Sequence, residues 1–279
     1  MGDGALGAAL ALFAALTTAG AHGLIKWGRD KLATRFLLGL TQSALALPLV
    51  LIAPSPSPTM WLWLGASAGI HLIYQLMLVR AYELADFSVA YPVARGVAPA
   101  ATAVLGIAIL ADHPSVAVLG GVGLVTGGLL TLSLGRRISR TGLAAAAIAG
   151  LLTTVYTLVD AYGVRLEADP TTFIAWFLLI DGLMLTPIFL AARRGRITAL
   201  LMHDWWKGLL AGAITVAGFG GALWAMTLTS VGAVSALRET GVIFALLFAA
   251  VFLKERIDRR RLAGAGLMLA GIVLIVSGA

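Results

Sequence analysis

Apolar residues along this 279-residue chain fall into continuous blocks parted by short polar connections. A membrane-spanning helix uses about 20 such residues. The blocks predict ten spans, over 5–25, 34–53, 61–81, 88–110, 115–134, 143–164, 171–192, 208–229, 232–252 and 262–278. A membrane barrel would show weaker, alternating stretches of about ten residues, whereas these runs are unbroken. Pro54-Ser55-Pro56-Ser57-Pro58 cannot be helix and reads as a surface turn. Trp27, Trp61, Trp63, Trp205 and Trp206 stand at span ends, as interfacial aromatics do. The predicted fold class is an all-α polytopic membrane protein.

Two spans break the pattern. Tyr91-Pro92-Val93-Ala94-Arg95-Gly96-Val97-Ala98-Pro99 lies within the fourth, and Arg238-Glu239-Thr240-Gly241 within the ninth. Proline in a helix costs about 3 kcal/mol, and an arginine at membrane depth about 2.5–3.5 kcal/mol on the insertion scale. A segment that only had to span would carry neither. Paired interruptions in corresponding segments point to a transporter's binding site. Pro92, Gly96, Pro99 and Gly241 are the expected hinges. A weak repeat accompanies them: Asp112 and a glycine-rich fifth span (Gly120, Gly121, Gly123, Gly127, Gly128) parallel Glu255 and a glycine-rich tenth (Gly264, Gly266, Gly271). Five spans per half place the halves in opposite orientations, so two inverted repeats are expected over 1–135 and 141–279.

Composition agrees. Hydrophobic residues make up 60% and charged residues 12%, and the mean hydropathy is +0.97; these are not soluble-protein values. The net charge of +7 suggests nucleic acid at first sight, but the cations sit in short loops as a topology signal. Connections after odd-numbered spans hold nearly all of them, from Lys26, Arg29, Lys31 and Arg35 to Arg259, Arg260 and Arg261. The opposite side has only Arg165, so positive-inside places both termini outside. With no cysteine, a disulfide framework and a thiolate metal site are excluded. Met1-Gly2-Asp3-Gly4 has no basic residue, so the first apolar run reads as an uncleaved helix. The longest polar connection, Arg193 to Lys207, is too small for a domain. Walker, Gly-x-Ser-x-Gly and His-Glu-x-x-His motifs are absent from the sequence. The expectation is a non-enzyme without cofactor or metal, in a bacterial-type inner membrane, its transport secondary or facilitated.

The stretches Ala90-Tyr91-Pro92-Val93-Ala94-Arg95-Gly96, Ala236-Leu237-Arg238-Glu239-Thr240 and Phe252-Leu253-Lys254-Glu255-Arg256, with the two glycine-rich closing helices, carry a resemblance. The chain resembles EamA-type members of the drug/metabolite transporter superfamily, built from two EamA repeats. The resemblance implies an exporter or exchanger of metabolites. Within the family, His22, Lys26, Asp30 and the two interruption motifs resemble a subgroup found beside phosphonate-utilisation genes. Relatives are usually drawn with cytoplasmic termini, opposite to the charge bias here.

Depth sharpens the site. Arg95 and Glu239 lie about seven residues into their spans from opposite ends, roughly 10 Å deep at 1.5 Å per residue. The expected arrangement is a substrate anion on Arg95 and Arg238, with Glu239 binding an ammonium or a proton; structural pairing is the alternative. Asp160 and Asp181, within the sixth and seventh spans, are further proton-coupling candidates. His71 and Tyr74 are candidate contacts on the third span. Tyr91, Tyr156, Trp176 and Trp224 are aromatic wall candidates able to make cation–π contacts, against ordinary packing. The function read from this pattern is alternating-access transport of an amino acid or phosphonate-like metabolite; a lipid head-group flippase is the alternative. The expected partners are a small-molecule substrate and the lipid bilayer, not nucleic acid, with a monomer favoured over a homodimer.

Overall fold

The apolar blocks fold as helices because in lipid every backbone N–H and C=O must be satisfied within the segment. The computed structural model describes residues 2–27, 31–84, 95–96, 98–133, 139–192, 197–244 and 258–278. Among the described residues there are helices and no strand. In chain order they are α1 (Asp3–Trp27), α2 (Lys31–Ile52), α3 (Pro58–Leu84), α4 (Ala98–Leu110), α5 (Val116–Ser133), α6 (Arg140–Arg165), α7 (Pro170–Met184), α8 (Thr186–Ala192), α9 (Ile197–Leu228), α10 (Val231–Arg238) and α11 (Arg259–Gly278). Among the described residues, six candidate spans are long and apolar enough to cross a membrane, and α4 and α5 are shorter apolar helices. Large apolar side chains cover the outside, including Ile52, Leu62, Val104, Val116 and Val273. That is a lipid-facing surface rather than a wetted one.

Two spans differ from the expected ones. The seventh, expected as one helix over 171–192, is broken at Leu185 into α7 and α8. Pro187 explains it, since a proline ring clashes with the carbonyl four residues back, here that of Leu183. The eighth, expected to start at 208, starts at Ile197. Nothing between Ile197 and Trp206 stops a helix: the stretch has no glycine or proline and is rich in Ala, Leu and Met. The supposed polar connection is therefore largely helix. At the other end of α7, Asp169 caps the helix by accepting from the Thr171 amide at 2.9 Å. Its hydrogen bonds with the Thr171 side chain and then the backbone hold the exposed carboxyl below the usual carboxylate range.

Helices in lipid associate through close packing of small residues. Ala8, Ala11 and Ala15 are almost fully buried on one face of α1, which packs mainly against α9. Helices α5 and α11 make the most extensive contact in the bundle. A Cβ on Gly121 would stand 2.6 Å from the Gly271 carbonyl oxygen, and one on Gly271 the same distance from that of Gly121. Gly128 and Gly264 repeat this relation one heptad away. Gly39 of α2 and Gly182 of α7 also block one another's carbonyls. α3 packs chiefly on α6.

Candidate functional site

Helix α10 is short, and an ionic contact lies near each of its ends. Its C-terminal end tightens into a turn at Glu239 and Thr240, where the amide of Glu239 bonds Ala236 O and that of Thr240 bonds Leu237 O, both at 3.2 Å. The Thr240 hydroxyl donates to the same oxygen, Leu237 O, at 2.8 Å, so one carbonyl accepts twice at the turn. Gly241 follows, where a Cβ would meet Ala15 O at 3.1 Å, so α1 packs closely on the break.

At this turn Arg95 Nη1 donates to Glu239 Oε1 at 2.8 Å, with side chains 9% and 4% exposed. Arg238, in the last turn of α10, lies at a helix C-terminus that favours a cation. Its guanidinium stands 5.0 Å over the Phe219 ring of α9. His71 Nε2 lies 3.0 Å from Asp160 Oδ2, and Ser67 donates to the other oxygen of the same fully buried carboxylate. The His71 ring contacts Tyr156 at 4.0 Å, Phe177 at 5.0 Å and Phe219 at 5.7 Å between centroids. Tyr74 meets Tyr156 edge-on at 5.1 Å. Tyr156 in turn lies within electrostatic reach of Arg95, Arg238 and Glu239. The structure thus gathers Arg95, Arg238, Glu239, Asp160, His71, Tyr74 and Tyr156 into one aromatic-walled polar centre.

Other expected residues lie elsewhere. Asp181 accepts from Gln42 Nε2 at 3.1 Å, beside the α2–α7 crossing. Trp176 packs edge-on against Trp61 at the start of α3, 4.9 Å between centroids. Trp224 is exposed and does not join the central rings. Gly96 is helical, facing Leu129 and Leu130 of α5, and Pro99 is buried in α4. Tyr91 and Pro92 lie outside the described residues. Sequence reasoning did not single out Ser67, Phe177 or Phe219, since a serine or phenylalanine in an apolar helix carries no signal of its own.

The N-terminal end of α10 holds a second ionic cluster. Ala111 takes a left-handed backbone, φ 54°, which costs a residue with a Cβ about 1–2 kcal/mol. That turn aims Asp112 inward. Its Oδ2 accepts the Val231 amide at 2.7 Å, capping α10 from another segment where Ser230 makes no side-chain cap. Its Oδ1 accepts from Arg165 Nη1 at 2.7 Å. Arg165 Nε donates to Met226 O at 2.6 Å and Nη2 to Thr229 O at 3.2 Å. The cluster lines an open depression of 520 Å³ that both chain ends border, at Gly4 and Gly278. Val231 and Arg238 are seven positions apart, so the depression ends about 10 Å along α10 from the polar centre.

This latch is testable because the chain has no cysteine. Ala233 is fully buried beneath it. With Ala233→Cys as reporter, Asp112→Asn should speed maleimide labelling about 5–30-fold, the effect of losing 1–2 kcal/mol of closure. An unchanged labelling rate would show that the pair holds nothing shut.

Residues 140–277 match the model of the EamA-like transporter family. No curated protein matches the chain. One crystal structure, described only as that of a protein, has a TM-score of 0.72 at 16% identity, covering 96% of this chain and 97% of that one. At that identity the likeness is one of fold.

Proposed function

The chain belongs to the EamA-like transporter family through its second half, and from that premise we propose a secondary transporter of a small anionic or zwitterionic metabolite, exported or exchanged by alternating access. The observation that carries the substrate reading is Arg238. Arg95 is engaged by Glu239, whereas among the described residues the Arg238 guanidinium rests on the face of Phe219. Arg95 and Glu239 offset one another, and the other carboxylate of the centre, Asp160, is engaged by His71 and Ser67, so a positive charge stands at Arg238, which suits a carboxylate or phosphonate-like group. Rings around it, with Phe177 stacked on Phe219 at 5.3 Å, suit an apolar or aromatic body.

Alternating access in two inverted repeats is supported by the packing. Reciprocal glycine crossings join α5 with α11 and α2 with α7, the pairs that an inverted five-plus-five arrangement would place on its pseudo-twofold axis. The contacts of α1 with α9 and of α3 with α6 exchange under the same operation. The ionic contacts Arg95–Glu239, His71–Asp160 and Asp112–Arg165 all join a residue before 135 to one after 140. Rocking one half against the other works on those contacts, and α10 is the rod linking latch to centre.

The test is ligand stabilisation of purified wild type and Arg238→Gln against amino acids, aryl carboxylates and phosphonates. A ligand at 100 times its Kd adds about 2.7 kcal/mol. An anionic ligand should stabilise wild type by that order and lose most of the effect in Arg238→Gln. Equal stabilisation of both proteins would overturn the site.

A further inference from the structure

We propose that binding of the anion is coupled to protonation of the Asp160–His71 pair. The inference rests on the anion site argued above and deepens it. The pair is buried, bridges α3 and α6, and shares the Phe219 ring with Arg238: His71 lies 5.7 Å from that ring's centroid and Arg238 lies 5.0 Å from it. Imidazole and guanidinium are therefore no farther apart than the sum of those distances, and both contact the same aromatic ring.

Charge decides what such neighbours do. With Asp160 ionised and His71 neutral, the pair carries one negative charge, and the centre of Arg95, Glu239 and Arg238 carries one positive. The empty site is then neutral in a membrane interior that penalises net charge. A bound monoanion adds a negative charge. One proton from water, held between Asp160 Oδ2 and His71 Nε2, restores neutrality, and it leaves to water again when the anion departs. Across about 10 Å at an effective dielectric of about 20, the coupling is worth roughly a tenfold change in either equilibrium.

Ionisable groups from the packed segments face the pair. They are Tyr74 from α3, Tyr156 from α6, Arg95, and Arg238 and Glu239 at the end of α10; α7 and α9 contribute the rings of Phe177 and Phe219. Glu239 is held by Arg95 and Asp181 by Gln42 beside another crossing, so neither occupies the pair's position between proton and anion.

The experiment mixes the full-length detergent-purified protein with phenylacetate, a carboxylate that stays ionised between about pH 6 and about pH 8, in weak buffer with a pH indicator. Proton uptake should peak near half a proton per anion bound, about the most that a tenfold coupling allows, and the Kd should tighten about tenfold from the alkaline to the acidic end. Asp160→Asn and His71→Gln should bind phenylacetate with neither effect. Either variant serves if the other fails to fold, and the wild-type stoichiometry stands without both. Binding without proton uptake overturns the coupling and leaves the anion site intact. Uptake that persists in both variants moves the proton elsewhere and overturns the assignment. Failure of phenylacetate and of every other anion to bind overturns the anion site and this inference with it.

Discussion

Glu239→Ala should destabilise the folded protein by about 3–5 kcal/mol, the cost of stranding one member of a buried ion pair. Arg95 and Glu239 are both buried and meet at 2.8 Å. Without the carboxylate a guanidinium stays in the membrane interior with its strongest acceptor gone, and a depth of roughly 10 Å is more than even an arginine stem spans. Two companion variants separate this from loss of packing. Glu239→Gln keeps an oxygen where Arg95 donates, so it should cost much less than Glu239→Ala. The double variant Arg95→Met/Glu239→Leu removes both charges and should recover most of the loss, because apolar residues of similar volume often replace a buried pair at no cost. Denaturant titration in mixed micelles would measure the cycle. A loss below about 1 kcal/mol for Glu239→Ala would mean that water reaches the pair, and the site would have to be redrawn as an open cavity. A recovered double variant that no longer binds anion would show that the charges are kept for function at the expense of stability.

The sequence made the helices visible because lipid forces the same solution on every segment: a long apolar run has no alternative to helix. It made Arg95, Glu239 and Asp160 visible for a related reason, since a charge inside such a run has no cheap explanation. What it hid was partnership. Nothing local says that His71 would meet Asp160 across 89 positions or that Arg95 would meet Glu239 across 144, and sequence offers the pairing of these arginines with an acid only as an alternative, without naming the partner. Phe177 and Phe219, whose stacked rings link the His71–Asp160 pair to Arg238, are indistinguishable in sequence from those facing lipid. Asp112 and Arg165 were half legible. Arg165 stood out as the lone cation of its side, but their meeting depends on the left-handed turn at Ala111, which no glycine announces. The break in the seventh span was legible in Pro187 and was passed over because the apolar run continues through it.

Gly121→Leu should leave almost no folded protein, and Gly271→Leu the same. The warrant is backbone geometry rather than side-chain fit. A Cβ at either position would stand 2.6 Å from the carbonyl oxygen of the other glycine, with Ile275 N or Val125 N about 3.0 Å away. No rotamer relieves a clash between a Cβ and the main chain, so α5 and α11 must separate along the whole crossing. Doing so also parts Gly128 from Gly264 and unpacks Val125 and Met268, both fully buried. Overpacking a tight core costs about 1–3 kcal/mol and occasionally more; a backbone contact repeated over two heptads belongs at or beyond the top of that range. Gly123 and Gly127 are the internal control, since a Cβ at either meets nothing within 4 Å. Gly123→Leu or Gly127→Leu on the same helix should therefore fold nearly as well as wild type. Monodisperse yield after size exclusion in detergent reads the comparison directly. If all four variants behave alike, the α5–α11 contact is not set by these glycines, and the crossing that supports the pseudo-twofold axis loses its physical basis. If only the facing pair fails, that crossing is a fixed element, and any rocking of the halves must take place around it.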